Sequence, residues 1–436
     1  MKQFFAHQVP HPSGNQSLPG PDDITRAELS NGIVVLTRPN FNSPSVVIHG
    51  YMLTGGLFDP DEKLGLGAFT ASALMRGTAR RDFQNIYDTL ESVGAGLGID
   101  GGTHTTGFSG RALAEDLDML LNLTREALRE PAFPPDQVER LRAHILTGLA
   151  IRAQDTGEMA SLIFDEIVYA GHPYSRSEDG LPETVRAIQR EDLAWFHQKH
   201  YGPQGMVIAV VGAVEPSEAI EKVARMLGDW QNTDQPSPPE LPSVQPLEGV
   251  TQKRVVLPGK SQADLVLGTS GPPRSSSDYL PASLGNSVLG QFAMYGRIGD
   301  AVRERAGLAY YAYSSLSGGI GPGPWYVSAG VSPNNILKAT DLILAEIGRF
   351  VNEPVSEDEL NDSKANYIGR LPLSLESNSG VAGALLSLER HNLGLDYYQR
   401  YAELVSSVSR EEVFEASRRY LDPGRLAIAI AGPETS

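Results

Sequence analysis

Residues 190–212 read REDLAWFHQKHYGPQGMVIAVVG, and residues 410–432 read REEVFEASRRYLDPGRLAIAIAG. The two stretches superimpose without a gap, 220 residues apart. Each begins with apolar residues at helical spacing, passes a proline turn at Pro203 or Pro423, and ends in an apolar strand that stops at glycine. A second pair agrees: EPAFPPDQVERLRAHIL from Glu130 matches EPVSEDELNDSKANYI from Glu353, 223 residues on. A third, weaker pair lays SPSVVIHG, ending at Gly50, over SQADLVLG, ending at Gly268. Offsets that stay near 220 along the chain imply duplication of a whole domain, whereas a solenoid repeats every ~20–50 residues.

The boundary between the copies is the proline-rich stretch TDQPSPPELPSVQPLEG, Thr233–Gly249, which reads as a semi-rigid extended linker. The domains expected on this basis are 1–232 and 250–436, joined by 233–249. Strand character falls on Ile33–Leu36, Ser45–Leu53, Met206–Val211, Arg254–Leu257, Asp264–Leu267, Trp325–Val331 and Leu426–Ala431. Helical spacing falls on Leu113–Arg129, Asp136–Ala153, Met159–Tyr169, Ile336–Val351 and Arg410–Tyr420, with Pro134-Pro135 marking a helix start at Asp136. Sheets covered by long helices account for this mixture.

Composition narrows the function. The 436 residues suit two domains, and 41% apolar with 20% charged residues is ordinary for a globular protein. There is no cysteine, so a disulfide framework and a thiolate metal site are excluded, and any metal would need His, Asp or Glu. With 53 acidic and 36 basic residues the formal charge is −17, which repels a phosphate backbone and makes nucleic acid an unsuitable partner. No stretch reaches the ~20 apolar residues of a membrane span. The opening MKQFFAHQVPHPSGNQSLPGPDD lacks the apolar run of a signal peptide, which points to the cytoplasm, or to the periplasm if a signal was removed.

The segment GLGAFTASALMRGT, Gly65–Thr78, resembles the part of the pitrilysin/insulinase family of zinc peptidases that carries the inverted motif H-x-x-E-H. LSNGIVVL near the start, EPAFPPD at 130–136, HPYSRSEDG at 172–180 and HYGPQGMVIAVVG follow in the family's order, so the resemblance spans nearly the whole chain and is nearest to the processing-peptidase branch. It implies an α+β fold of two duplicated domains, each a mixed, mostly antiparallel sheet covered by helices, the processing-peptidase-like metallohydrolase fold. In the family two histidines one helical turn apart bind zinc, the glutamate takes a proton from zinc-bound water, and a carboxylate about 75 residues later completes the site. Here the histidine positions fall on Ala68 and Ser72 and the glutamate on Ala71; the later carboxylate falls near Thr147-Gly148, and nothing acidic lies between Glu139 and Asp155. Methyl and hydroxymethyl groups do not hold zinc. His197 and His200, three apart, lack an accompanying carboxylate and read as solvated or stacked helix-end residues; His7 and His11 flank Pro10 in the N-terminal tail.

The second half keeps what the first has lost. LGQFAMYGRIGDAVRERAGLAYYAYSS, Leu289–Ser315, resembles the segment in which family members carry a substrate-binding arginine and, seven residues later, a tyrosine; these fall on Arg303 and Tyr310. Both can hydrogen-bond the backbone carbonyls of an extended peptide and a developing oxyanion. Read without the family, Arg303 is better explained by a surface ion pair with Glu304 or another acid, and Tyr310 by a strand it shares with Tyr311 and Tyr313. One departure stands out: the long glycine-rich loop of the mitochondrial non-catalytic subunit is reduced here to QFAMY between Gly290 and Gly296, while GGIGPG at 318–323 reads as a hairpin turn.

The resemblance therefore implies the zinc-free, non-catalytic subunit of a heterodimeric metalloendopeptidase. A homologous partner would hold the zinc, this chain would have no cofactor of its own, and the substrate would be a peptide or unfolded protein. Alternatives are a purely structural subunit, like the core proteins of a respiratory complex, and a stand-alone peptide-binding protein. A hydrolase with its own carboxylate pair has no recognisable acid pair to support it.

Overall fold

Two apolar hexapeptides, Val207–Gly212 and Ala427–Gly432, are buried along their whole length, as strands are when both faces and both edges are covered. Each lies inside its own sheet in the computed structural model, which describes residues 18–291 and 296–434. The first half runs β1 (Thr25–Glu28), β2 (Val34–Pro39), β3 (Ser45–Met52), α1 (Leu66–Ala73), α2 (Phe83–Ser92), β4 (Gly96–Gly101), β5 (Thr106–Leu113), α3 (Leu117–Arg129), α4 (Pro135–Arg152), α5 (Thr156–Val168), α6 (Pro182–Ala187), α7 (Arg190–His200), β6 (Val207–Gly212) and α8 (Pro216–Leu227). The second runs β7 (Thr251–Val256), β8 (Ala263–Ser270), α9 (Tyr279–Asn286), β9 (Ala309–Gly318), β10 (Pro322–Val331), α10 (Ile336–Asn352), α11 (Glu357–Ser374), α12 (Asn378–Arg390), α13 (Tyr397–Ser407), α14 (Arg410–Tyr420) and β11 (Ala427–Gly432).

The strand orders are β1-β2-β6-β3-β5-β4 and β7-β11-β8-β10-β9. Without β1 the sheets have one plan: β2 is parallel to β6 and β7 to β11, and the other pairings are antiparallel. The fold is thus α+β, with two mixed, mostly antiparallel sheets. The register corrects one expectation. Val207 pairs with Tyr51 and Ala427 with Gly268, so the counterpart of Gly268 is Tyr51 and not Gly50. A one-residue slip turns every side chain to the opposite face. Both runs are apolar on both faces and offer no alternation to fix the phase.

Other differences are local. Leu113 closes β5, and α3 starts four residues later after a short turn; α4 starts on Pro135, not Asp136. The strands β4 (GLGIDG) and β5 (TGFSGRAL) are glycine-rich and escaped a reading that looks for β-branched runs. The β9–β10 hairpin turns on residues 319–321. Of QFAMY, residues 292–295 lie outside the described residues, as do His7 and His11.

Each half lends a helix to the other. Helix α5 packs Ile163, Phe164 and Ile167 against Val266, Ala427, Ala429 and Ala431 of the second sheet. Helix α12 packs Val381, Ala382, Leu385 and Leu388 against Val34, Leu36, Val47, Val207, Ala209 and Val211 of the first. Burying a valine or leucine side chain is worth about 1.5–3 kcal/mol, so Val381, Leu385 and Leu388 of α12 alone tie the halves firmly. The segment 233–249 has no helix or strand, and its Val244 and Leu247 pack beside α5. No helix among the described residues is long and apolar enough to cross a membrane.

Candidate functional site

Helix α1 carries Ala68, Ala71 and Ser72, and its place is fixed by a polar clamp. The amides of Gly65 and Gly67 donate to the two carboxylate oxygens of Asp59, each at 2.8 Å. Asp59 is buried, and burial pushes its carboxyl up to about 7, against the pull of those amides and of Arg176. Arg176 pairs with Asp61 at 2.9 Å and donates to the Asp59 carbonyl. Arg152, the last residue of α4, donates to Asp179 Oδ2 at 2.8 Å, to Ser177 Oγ and to the Gly180 carbonyl. Gly65 has φ +90°, and a Cβ there would stand 2.8 Å from the Asp179 carbonyl oxygen. HPYSRSEDG at 172–180 therefore binds the start of α1 to the end of α4. Its charged and glycine residues carry that role, which the linear sequence does not reveal.

Inside this clamp the donors are missing. Ala71 is wholly buried. The helix lies against β4 closely enough that a Cβ on Gly101 would stand 2.8 Å from Ala68 Cα and 3.1 Å from the Ala71 methyl. On α4, Thr147 is exposed and its hydroxyl donates to the Ala143 carbonyl; a Cβ on Gly148 would meet nothing within 4 Å. Arg142 of α4 stacks over Phe69 of α1, 5.4 Å from the ring centre. Among the described residues no group of three or more His, Cys, Asp or Glu is placed to hold a metal ion. Ala68, Ala71 and Ser72, where the resemblance puts the zinc motif, do not fit zinc.

The nearby histidines are packing residues. His200 is buried against Phe58 and Phe196, with ring centres 4.5 and 4.6 Å apart. Neither of its nitrogens has a partner among the described residues, and burial with the Lys199 charge pushes it down to about 4. His197 Nε2 meets the Leu128 carbonyl at 2.9 Å. His104 bonds the Tyr174 hydroxyl.

Arg303 and Tyr310 flank the turn into the edge strand β9. Arg303 lies in the π-helical turn Gly299–Arg305, and Gly307, at φ +63°, reverses the chain. Arg303 lies 3.8 Å from Glu304, both partly exposed, an arrangement that holds a side chain only loosely. Gly330 pairs with Tyr311 and Val331 with Ala309, so Tyr310 is the extra residue of a bulge, and it is 64% exposed. The three neighbouring tyrosines are therefore distinct. Tyr311 donates to the buried Asp264 at 2.6 Å, Tyr313 stacks on Tyr311, and Tyr310 projects outward. No contact joins Arg303 to Tyr310 among the described residues.

Comparison with known proteins agrees with this architecture. Residues 34–172 match the family described as insulinase (peptidase family M16), and residues 187–367 match the peptidase M16 inactive domain. An uncharacterised zinc protease of Mycobacterium leprae is 25% identical over 419 residues, covering 95% of this chain and 92% of that one. A probable β subunit of the mitochondrial processing peptidase from Arabidopsis thaliana is 27% identical over 228 residues, 52% of this chain and 43% of that one. A peptidase M16 inactive domain from Pseudomonas fluorescens superimposes with a TM-score of 0.87 at 25% identity over 95% of this chain and 98% of that one. A protease from Helicobacter pylori superimposes with the same score at 18% identity, over 96% and 100%.

Proposed function

Because this chain belongs to the insulinase family of peptidases, M16, yet has alanine, alanine and serine where that family's zinc motif stands, we propose that it is the metal-free subunit of a two-chain zinc endopeptidase. The observation that carries this reading is the α1–α4 crossing: the clamp of Asp59, Arg152 and Asp179 is intact around positions that have no metal donor. A homologous partner holds zinc and activates water. This chain offers Arg303 and Tyr310 to the carbonyl oxygens of an extended peptide. Arg303 is partly exposed, Tyr310 is exposed, and neither is committed to a strong pair.

The test is reconstitution. Purified alone, the chain should contain no stoichiometric zinc and cleave no peptide. Mixed with a chain of similar length that retains H-x-x-E-H, it should yield chelator-sensitive peptidase activity above that of the partner by itself. Chelator-resistant hydrolysis by the lone chain would defeat the proposal.

A further inference from the structure

The duplication gives the α1–α4 crossing a counterpart. Helix α9 packs against α11 and α14 as α1 packs against α4 and α7. Matching the repeats lays Thr147-Gly148 over the stretch at 369–371 of α11. A cavity of about 330 Å³ opens there, lined by Arg274, Gln291, Tyr367, Arg370, Tyr397 and Tyr401 among others. Among the described residues no acidic side chain lines it, in a chain whose formal charge is −17.

The lining is arranged in advance. The Arg274 guanidinium lies over the ring of Tyr279, 4.6 Å from its centre, and 5.5 Å from that of Tyr397. It donates to the Tyr397 hydroxyl at 2.7 Å, and its backbone amide bonds the Gly319 carbonyl. It has no carboxylate partner among the described residues. A planar fork held by stacking loses little freedom on engaging a ligand. Because Tyr397 accepts from Arg274, its own proton is left to donate, and Tyr401 makes no hydrogen bond among the described residues. The Tyr367 hydroxyl lies 3.0 Å from both the Ser283 carbonyl and Gln291 Oε1 and has one proton for the two. Burial first, then the charges of Arg274 and Arg390, holds His391 down to about 4.

We propose that this cavity binds a carboxylate of the peptide substrate, with Arg274 as the anchoring group. The proposal rests on reading the chain as a peptide-handling subunit. Planar, bidentate donors select carboxylates, and a volume near the lower end of ~300–1,000 Å³ suits one or two residues and not a long segment. The carboxylate is either a free C-terminus or an Asp or Glu side chain.

Calorimetry on the full chain, without partner or cleavage, tests this separately from the two-chain reading. Three N-acetylated peptides of about ten neutral residues are compared: one with a free C-terminus, its amide, and the amide with one internal Glu. The neutral amide should bind roughly 10- to 100-fold more weakly than the better acidic peptide, the scale of a lost charge-assisted hydrogen bond. Arg274→Gln should erase that difference while leaving the neutral peptide's affinity unchanged. Preference for the free terminus identifies the end of a chain as the ligand; equal or better binding of the Glu peptide identifies a side chain. Should Arg274→Gln not fold, Tyr397→Phe, which frees the fork, should weaken only the acidic peptides, by about 3- to 10-fold. Neutral and acidic peptides binding alike, or affinities unmoved by these substitutions, would overturn it.

Discussion

In the first half α1 lies across α4 and against α7; in the second, α9 lies across α11 and against α14. The construction is one, and what lies beside it differs. The first crossing holds methyl groups inside an intact polar clamp. Beside the second, between α11 and α13, arginine and tyrosine line a cavity. After duplication, then, the scaffold and the chemistry of such a crossing are separable. Asp59, Arg152 and Asp179 bond backbone and each other, so their energies belong to folding. They persist whether or not a metal was ever held between the helices.

The largest effect that would break the comparison concerns Ala71. If the first crossing has closed on itself, restoring an acid there puts an unpaired carboxylate into a wholly buried place. Ala71→Glu should cost about 3–5 kcal/mol, the range for an uncompensated buried charge. Urea denaturation at pH 7 measures it. A loss under about 1 kcal/mol would mean that the space for a donor has been kept open.

A smaller effect separates the helices beneath. His200 of α7 corresponds to Tyr420 of α14, whose hydroxyl bonds Asp278 at 3.2 Å, whereas His200 has no hydrogen-bond partner among the described residues. An unfolded imidazole titrates near 6.5, and folded His200 near 4. Between those values the unfolded chain binds the extra proton, so this residue's contribution is present above pH 6.5 and is lost as the pH falls toward 4. The loss is at most about 3 kcal/mol. Asp59, raised to about 7, acts in the opposite sense, losing stability as the pH rises toward 7. Asp165, also raised to about 7, and His391, also lowered to about 4, act alongside them, so the parent's own pH profile mixes all four. The informative quantity is His200→Phe minus parent, which should move in the variant's favour as the pH drops from 6.5 to 4. Parallel curves would show that His200 is not held neutral.

How much of this was legible is itself uneven across the two halves. The strands β6 and β11 declare themselves, because a six-residue apolar run buried on both faces needs no alternation to be seen. The same lack of alternation hid the phase of β3 against β8. Ala68, Ala71 and Ser72 were legible only through the resemblance to a motif, since nothing in alanine or serine points to a metal. The carboxylate pocket was not legible at all. Arg274, Gln291, Tyr367 and Tyr397 are far apart in sequence, and each is ordinary alone. The exchange of α5 and α12 was equally hidden, because an apolar helical stripe does not say which sheet it will cover.

The smallest effects fall on Arg303 and Tyr310, where stability and function should part. Arg303 is partly exposed beside Glu304 at 3.8 Å, and Tyr310 is an exposed bulge residue, so replacing either should change folding stability by less than about 0.5 kcal/mol. Activity of the reconstituted pair should respond instead. Arg303→Ala removes hydrogen bonds from a charged donor, about 1.5–3 kcal/mol, and should lower kcat/KM by roughly 10- to 150-fold. Tyr310→Phe removes one neutral hydroxyl, about 0.5–1.5 kcal/mol, or roughly 2- to 10-fold. If both variants turn over peptide like the parent, the pair belongs to the surface of a structural subunit. If both lose activity in step with stability, the residues support the strand and do not touch the peptide. Only a loss of turnover at constant stability places them against the substrate, because a substitution that leaves folding untouched and still slows turnover acts on the bound peptide.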